Sequence, residues 1–213
     1  MAEADDSHAE VDVNEDDPRS EIISSRRLES FSDGVMAVII TVMAFNLHPP
    51  STPSWSAVEH RVPTLLIYVL SFTVIGVYWN NHHHLLRITT TINSAVMWTN
   101  LALLLCLSLF PVVTEWVGLV PSSSWPAVAY GLVSTLCAVA YYVLSRAILR
   151  ANHHDRMLVR ALGHDVKGRI SLALALVGVA LAFVSAYLAY ACYAVLTVMW
   201  FVPDRRLVRP HRH

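Results

Sequence analysis

Six apolar stretches, separated by short polar or proline-containing segments, dominate the chain after its first 30 residues. A membrane-spanning helix needs about 20 mainly apolar residues, and short spans manage with about 17. The last two stretches come from one uncharged run, residues 170–203, that is too long for a single span. Because Arg169 precedes this run and Arg205 follows it, both ends favour the same side of the membrane, which predicts a hairpin that turns near Ser185. The predicted helices are residues 31–47, 62–81, 95–116, 126–149, 169–184 and 186–202.

The composition agrees with an all-α integral membrane protein. The 213 residues are 55% hydrophobic and 15% charged, which is unlike an ordinary soluble domain. Nine of the sixteen acidic residues lie within the first 21 positions, and this predicts a disordered acidic tail over residues 1–24. A six-helix transmembrane domain is predicted for residues 25–203. A basic tail over residues 204–213 is expected to contact anionic membrane lipid.

The distribution of basic residues predicts the orientation in the membrane. When the N-terminus is placed on the cytoplasmic side, all fifteen Lys and Arg residues except Arg61 lie on that side. Cytoplasmic loops of membrane proteins carry such an excess of basic residues. We therefore expect a multi-pass protein of the cell membrane whose N- and C-termini are both cytoplasmic.

Charged residues mark the beginning of the first predicted helix. Arg27 and Asp33 are costly at the threshold of a membrane span unless they are paired. Six positions apart, they are too distant along one helix to be an i,i+4 pair. We therefore expect their partners on neighbouring helices. The end of the second helix lies at the same predicted depth and offers Trp79, Asn81, His82 and His83.

One face of the first helix carries Val38, Thr41, Val42 and Phe45, which recur at i, i+3, i+4 and i+7. This face has two interpretations. In the first, it packs against other helices and Thr41 donates to the carbonyl four residues earlier. In the second, it lines a pore in which apolar rings gate by dewetting and a hydroxyl helps to coordinate an ion. The spacing alone favours the packing face, because apolar stripes are the default in helix bundles.

Two groups of histidines, residues 82–84 and 153–154, suggest a metal site as an alternative. Metal ligands on a helix converge when they are spaced at i,i+3 or i,i+4, whereas consecutive histidines point in different directions. No cluster of carboxylates accompanies them in the sequence. We therefore expect no metal site, no cofactor, no catalytic residue and no nucleic-acid partner. A membrane-embedded metalloenzyme that uses the His clusters stays as the alternative function.

Several motifs follow one another in a specific order along the predicted helices. They are Arg27-x-x-x-Phe31-Ser32-Asp33-Gly34 with Thr41, then Tyr78-Trp79-Asn80-Asn81-His82-His83, then Asn100, Pro111 and Thr114, and finally Trp200-Phe201-Val202-Pro203-Asp204-Arg205-Arg206. In this order and at these depths they resemble the prokaryotic branch of the endolysosomal transmembrane potassium channel family. The resemblance covers about residues 25–206.

The resemblance implies a subunit of six transmembrane helices and a homotetramer with a central pore that is lined by helix one. It implies a potassium-preferring monovalent cation channel with passive flux, and K⁺ as the permeant ion. Val38 would form the constriction, and Thr41 would aid potassium selectivity. The further apolar layers would be Val42 and Phe45. The structural motif that holds helix one in place would be Arg27, Phe31, Ser32 and Asp33. Since the family typically has Ile or Leu at the first layer, the smaller Val38 predicts a wider neck.

Overall fold

The structure, a computed structural model, describes residues 18–154 and 166–201. Eight α-helices lie within these ranges, and the all-α membrane fold predicted from the sequence is confirmed. Residues 1–17 of the acidic tail, His164 and the basic tail over residues 204–213 lie outside the described ranges. The helices are α1 Pro18–Phe45, α2 Trp55–Glu59, α3 Val62–Arg87, α4 Ser94–Leu107, α5 Phe110–Leu119, α6 Ser124–Ala151, α7 Val166–Ala182 and α8 Ala186–Phe201.

Within residues 18–154 and 166–201, four helical segments are long and apolar enough to cross a membrane: Ser25–Phe45, Trp55–Arg87, Ser94–Leu119 and Ser124–Ala151. The helices α7 and α8 are apolar but shorter, with 17 and 16 residues. At about 1.5 Å per residue each is roughly 25 Å long, slightly less than the ~30 Å hydrocarbon core. They are joined by residues 183–185 and pack against each other, so they form a helical hairpin.

The first two long helices extend beyond their predicted bounds. The helix α1 begins at Pro18, inside the segment that the composition assigned to a disordered tail. Proline suits the first position of a helix, because its missing N–H would be unpaired there in any case. The helix α3 runs on to Arg87, since the sequence has no Gly or Pro between residues 82 and 87. The three consecutive histidines therefore belong to the last turns of α3 and do not follow it.

The third predicted helix is two helices, α4 and α5, that are separated at Ser108 and Leu109. The interruption lies just before Pro111. Proline has no N–H to donate and its ring clashes with the preceding turn, so the helix ends ahead of it and restarts with Pro111 in its first turn. The short helix α2 was not predicted, and Ser54 caps it by accepting a hydrogen bond from the Ala57 N–H at 3.3 Å.

The core of the bundle is built around α6. Tyr130 of α6 is fully buried and meets Phe110 of α5 edge to face, with ring centroids 5.5 Å apart. Its hydroxyl lies 3.2 Å from Ser71 Oγ of α3, which accepts a hydrogen bond from Thr114 of α5 at 2.7 Å. The helix α1 packs on the other side of this core, against α3, α4 and α5.

Asn152, just beyond the end of α6, holds the connection between α3 and α4. Its Oδ1 accepts hydrogen bonds from the Thr90 hydroxyl and the Thr91 N–H, both at 2.8 Å, and its Nδ2 donates to the Thr91 carbonyl at 3.0 Å. An amide that is satisfied on both sides fixes the backbone that it contacts. This contact sets the position at which α4 begins, and α4 carries a residue of the site described next.

Candidate functional site

The helix α1 has one buried face and one exposed face. The buried face packs into the bundle and consists of Ser32, Met36, Ile39 and Met43. On the opposite face, Val38 is 61% exposed and Phe45 is 76% exposed, and Thr41 and Val42 between them are exposed as well. The stripe that the spacing suggested as a packing face is therefore the face that α1 does not use for packing within its own subunit.

Thr41 makes the hydrogen bond that the packing interpretation expected. Its hydroxyl donates to the Ala37 carbonyl at 2.9 Å. A hydroxyl has a single proton and two lone pairs, so this bond leaves the oxygen of Thr41 as an acceptor on the exposed face. Because its lone pairs remain available, this oxygen can coordinate a cation.

A buried hydrogen-bonded chain joins α1 to two other helices. Ser32 donates to the Leu28 carbonyl at 2.8 Å and accepts from Asn100 Nδ2 of α4 at 2.9 Å. The Asn100 Oδ1 is 2.7 Å from His82 Nε2 of α3. Since this oxygen can only accept, His82 is the donor and carries its proton on Nε2. The three side chains are fully buried, and we call them the buried anchor: Ser32, His82 and Asn100.

Two further pairs connect α1 and α3 beside the buried anchor. Trp79 Nε1 donates to Asp33 Oδ1 at 3.0 Å, and His83 Nδ1 lies 2.6 Å from Glu29 Oε1. The Trp79 and His83 rings stack on each other, with centroids 6.0 Å apart. Glu29 and Asp33 are one turn apart on α1, as Trp79 and His83 are on α3. The two pairs therefore stand one above the other.

Of the four helix-two residues that the sequence offered as partners for Arg27 and Asp33, Trp79 is the one that pairs with either of them among the described residues. Trp79 binds Asp33 directly, His83 binds Glu29, and His82 reaches Ser32 through Asn100. The fourth, Asn81, instead donates to the Val77 carbonyl of its own helix at 2.8 Å.

Arg27 is exposed and makes no hydrogen bond or ion pair to any residue in the described part of the subunit. Sequence reasoning also missed Glu29 as a partner of α3. The matching i,i+4 spacing of two acids on α1 and of Trp79 and His83 on α3 was the signal that could have found it.

A carboxylate lies at the other end of the exposed face. Asn46 follows the last residue of α1, and its Nδ2 donates to Glu115 Oε2 of α5 at 3.1 Å. Glu115 is itself exposed. The exposed stripe of α1 therefore ends beside a negatively charged group.

The described residues contain no group of three or more His, Cys, Asp or Glu side chains arranged to hold a metal ion. The His82 and His83 rings are engaged with Asn100 and Glu29. The His153 and His154 rings lie beside one another near the end of α6, with centroids 3.7 Å apart and ring planes tilted by 44°. The geometry gives no support to the metalloenzyme alternative.

The fold is that of a multi-helix membrane protein, and comparison with known proteins identifies the class as a family of ion channels. The family model described as endosomal/lysosomal potassium channel TMEM175 matches residues 27–111. A potassium channel of Chryseobacterium sp. (strain P1-3) is 38% identical over 181 residues, which cover 85% of this chain and 94% of that protein. A potassium channel of Streptomyces collinus is 32% identical over 203 residues, with 87% of this chain and 98% of that protein covered.

Among solved structures, the chain resembles the crystal structure of a lysosomal potassium-selective channel TMEM175 homolog from Chamaesiphon minutus. The TM-score is 0.66 at 23% sequence identity, and the match covers 86% of this chain and 98% of the other. At this identity the likeness establishes the fold. Together with the relatives above, it shows that the chain belongs to the TMEM175 family.

We predict that Asn100→Ala destabilises the folded subunit, because it leaves the buried His82 Nε2–H without an acceptor and removes the amide donor to Ser32, which keeps its hydrogen bond to the Leu28 carbonyl. Unsatisfied buried polar groups cost about 1–3 kcal/mol each, so the free energy of unfolding should fall by at least ~1 kcal/mol. Thermal unfolding of the purified protein in detergent, followed by circular dichroism, measures the change. Asn80→Ala serves as the matched control because Asn80 is exposed on α3. Equal unfolding midpoints for the two variants would contradict the buried anchor.

Proposed function

We propose that this chain is a subunit of a potassium-preferring cation channel in which the exposed face of α1 lines the conduction pathway. The observation that carries the proposal is the exposure of Val38, Thr41, Val42 and Phe45 on a helix whose opposite face is anchored by buried hydrogen bonds. Membership of a family whose relatives are named potassium channels supports K⁺ as the permeant ion.

The pathway requires several copies of the subunit. A single helical stripe cannot enclose a pore, whereas symmetric copies that present the same stripe to a common axis can. The proposed assembly is the homotetramer that the motif resemblance implies. In this assembly the buried anchor of each subunit fixes the rotation of α1, so that the exposed face points at the axis.

The proposed constriction consists of apolar layers on α1. Val38 and Phe45 are seven residues apart, or roughly 10 Å along the helix axis. A ring of valine side chains at a narrow neck excludes water, and ions cannot pass until water enters the neck. Conduction through such a neck is passive and uses no catalytic residue and no cofactor.

Thr41 is the proposed selectivity residue. Its hydroxyl proton is donated to the Ala37 carbonyl. A ring of Thr41 oxygens, one from each subunit, therefore presents lone pairs to a cation that has lost part of its hydration shell. This placement between Val38 and Phe45 puts an acceptor inside an otherwise apolar neck.

The proposed orientation places the beginning of α1 at the cytoplasmic side of the cell membrane, together with both termini. The exposed Arg26 and Arg27 then lie at the cytoplasmic membrane surface, as the distribution of basic residues favours. Glu115 lies at the outer end of the pathway. A ring of carboxylates at that mouth would raise the local concentration of cations.

Replacing Val38 tests the constriction. Val38→Asn should increase the leak of all monovalent cations severalfold, because an amide lets water into the neck. Val38→Ile should reduce flux and sharpen the preference for K⁺, because a larger apolar side chain narrows the neck. Fluxes of K⁺ and Na⁺ into liposomes that contain the purified protein measure both effects. Unchanged flux in both variants would remove Val38 from the pathway.

Replacing Thr41 tests selectivity. Thr41→Val keeps the shape of the side chain and removes its oxygen, so the ratio of K⁺ to Na⁺ flux should fall towards one. Thr41→Ser should retain the ratio. Thr73→Val is the matched control, since Thr73 on α3 donates to the Val69 carbonyl at 2.7 Å in the same way. A ratio that falls equally in Thr41→Val and Thr73→Val would argue against a selectivity role for Thr41.

Neutralising Glu115 tests the outer mouth. Glu115→Gln should lower K⁺ conductance at about 10 mM salt and have little effect at about 1 M, where the Debye length is only about 3 Å. Single-channel recording in planar bilayers measures both conditions. Glu59→Gln is the control, because Glu59 is an exposed acid at the end of α2 on the same proposed side. A salt-independent loss in Glu115→Gln would indicate a structural role for this carboxylate.

A further inference from the structure

A cavity of about 170 Å³ lies within the subunit, among α3, α6, α7 and α8. Its walls include the apolar side chains of Val74, Ala138, Leu172, Ala175 and Leu196. None of these residues belongs to α1 or to the buried anchor. The cavity is therefore separate from the proposed conduction pathway.

The polar residues in the cavity wall are largely satisfied by their own helices. Ser134 donates to the Tyr130 carbonyl, Thr197 to the Tyr193 carbonyl, and Asn81 Nδ2 to the Val77 carbonyl, each at 2.8 Å. Water in a cavity needs about two to four polar partners, and an apolar cavity of ~150 Å³ stays dry and accepts a benzene molecule. The space is therefore suited to roughly six carbon atoms of an apolar ligand.

One edge of the cavity leads to basic side chains on α6. Tyr142 lines the cavity and is 42% exposed. One turn later, Arg146 Nε donates to the Tyr142 hydroxyl at 3.0 Å, and the guanidinium carbon lies 5.4 Å from the centre of the Tyr142 ring. Both side-chain contacts hold the guanidinium against Tyr142, which forms part of the cavity wall, although Arg146 itself does not line the cavity. Arg150, another turn along the same face, is also exposed.

The terminal Nη groups of Arg146 make no hydrogen bond to another residue in the described ranges. A guanidinium with free Nη donors is the side chain best suited to bind a phosphate through two parallel hydrogen bonds. An apolar cavity with such a group beside its Tyr142 wall, near the end of α6, presents the two halves of a lipid-binding site. A free phosphate would leave the cavity empty, and an apolar molecule would not use the arginine.

We propose that the subunit binds an anionic phospholipid here, with part of one acyl chain in the cavity and the phosphate on Arg146. This requires that the protein resides in a membrane, and it does not require conduction along α1. Arg150 adds a second positive charge near the phosphate, and each basic residue at an anionic surface contributes roughly a fivefold increase in affinity.

The experiment measures phospholipid binding to the full-length protein in detergent by native mass spectrometry, with phosphatidylglycerol as the anionic lipid and phosphatidylcholine as the neutral one. The wild-type subunit should retain one phosphatidylglycerol and bind it more tightly than phosphatidylcholine. Ala138→Phe fills the cavity and should abolish retention of both lipids. Arg146→Gln should weaken phosphatidylglycerol roughly fivefold, to the level of phosphatidylcholine.

Matched controls separate these effects from general damage. Leu132→Phe adds bulk on α6 at a side chain that is 49% exposed and does not line the cavity, and it should bind lipid as the wild type does. Arg61→Gln removes a charge at the opposite end of the bundle and should also leave binding unchanged. If Ala138→Phe fails to fold, Ala138→Leu adds less bulk and should weaken retention.

Three results would overturn the proposal. The first is equal binding of the two lipids by the wild type, which would leave Arg146 without a role. The second is wild-type retention in a folded cavity-filling variant, since the chain would then lie elsewhere. The third is complete displacement of phosphatidylglycerol by inorganic phosphate, which would reduce the site to one for a free anion. Because the readout is lipid binding, absence of ion flux in liposomes would leave the outcome unaffected.

Discussion

Ser32 of α1, Asn100 of α4 and His82 of α3 form one hydrogen-bonded chain across three helices. His82 donates to the side-chain oxygen of Asn100, and the Asn100 amide nitrogen donates to the Ser32 hydroxyl. They are fully buried, where water cannot replace a missing partner and an unpaired polar group is costly. The two hydrogen bonds through Asn100 form together only when α1, α3 and α4 keep this relative position, while the buried His82 Nδ1 has no hydrogen-bond partner among the described residues. This constraint fixes the depth and the rotation of α1, and the position of every other residue on α1 follows from it.

The rotation fixed in this way divides α1 into two faces with different roles. Met36, Ile39 and Met43 continue the buried face and contribute apolar packing, while Val38 and its neighbours are left exposed. The Glu29–His83 and Asp33–Trp79 pairs brace the same end of the helix. A helix held on one side alone is suited to present its other side to a symmetry axis, which is how the proposed pore uses it.

The remaining helices form a second unit behind this arrangement. The α7–α8 hairpin packs on α6, and the apolar cavity lies where these helices meet α3. Since α3 borders both the cavity and the buried anchor, it connects the proposed lipid site to α1 through a continuous helix. The subunit thus combines a proposed conduction helix, a packed core and a proposed lipid contact in three adjacent regions.

The sequence by itself determined the all-α membrane fold and the residues that share one face of α1, because helical period and apolar length are local properties of the chain. The order of its motifs indicated the family through their resemblance to it. It also indicated that the polar end of α1 needs partners on α3. Only the tertiary structure decided that Asn100 bridges Ser32 and His82, that Glu29 pairs with His83, and that Arg27 makes no hydrogen bond or ion pair to a described residue. These contacts depend on how far neighbouring helices are shifted and rotated against one another, and the packing of side chains distant in the sequence sets that arrangement.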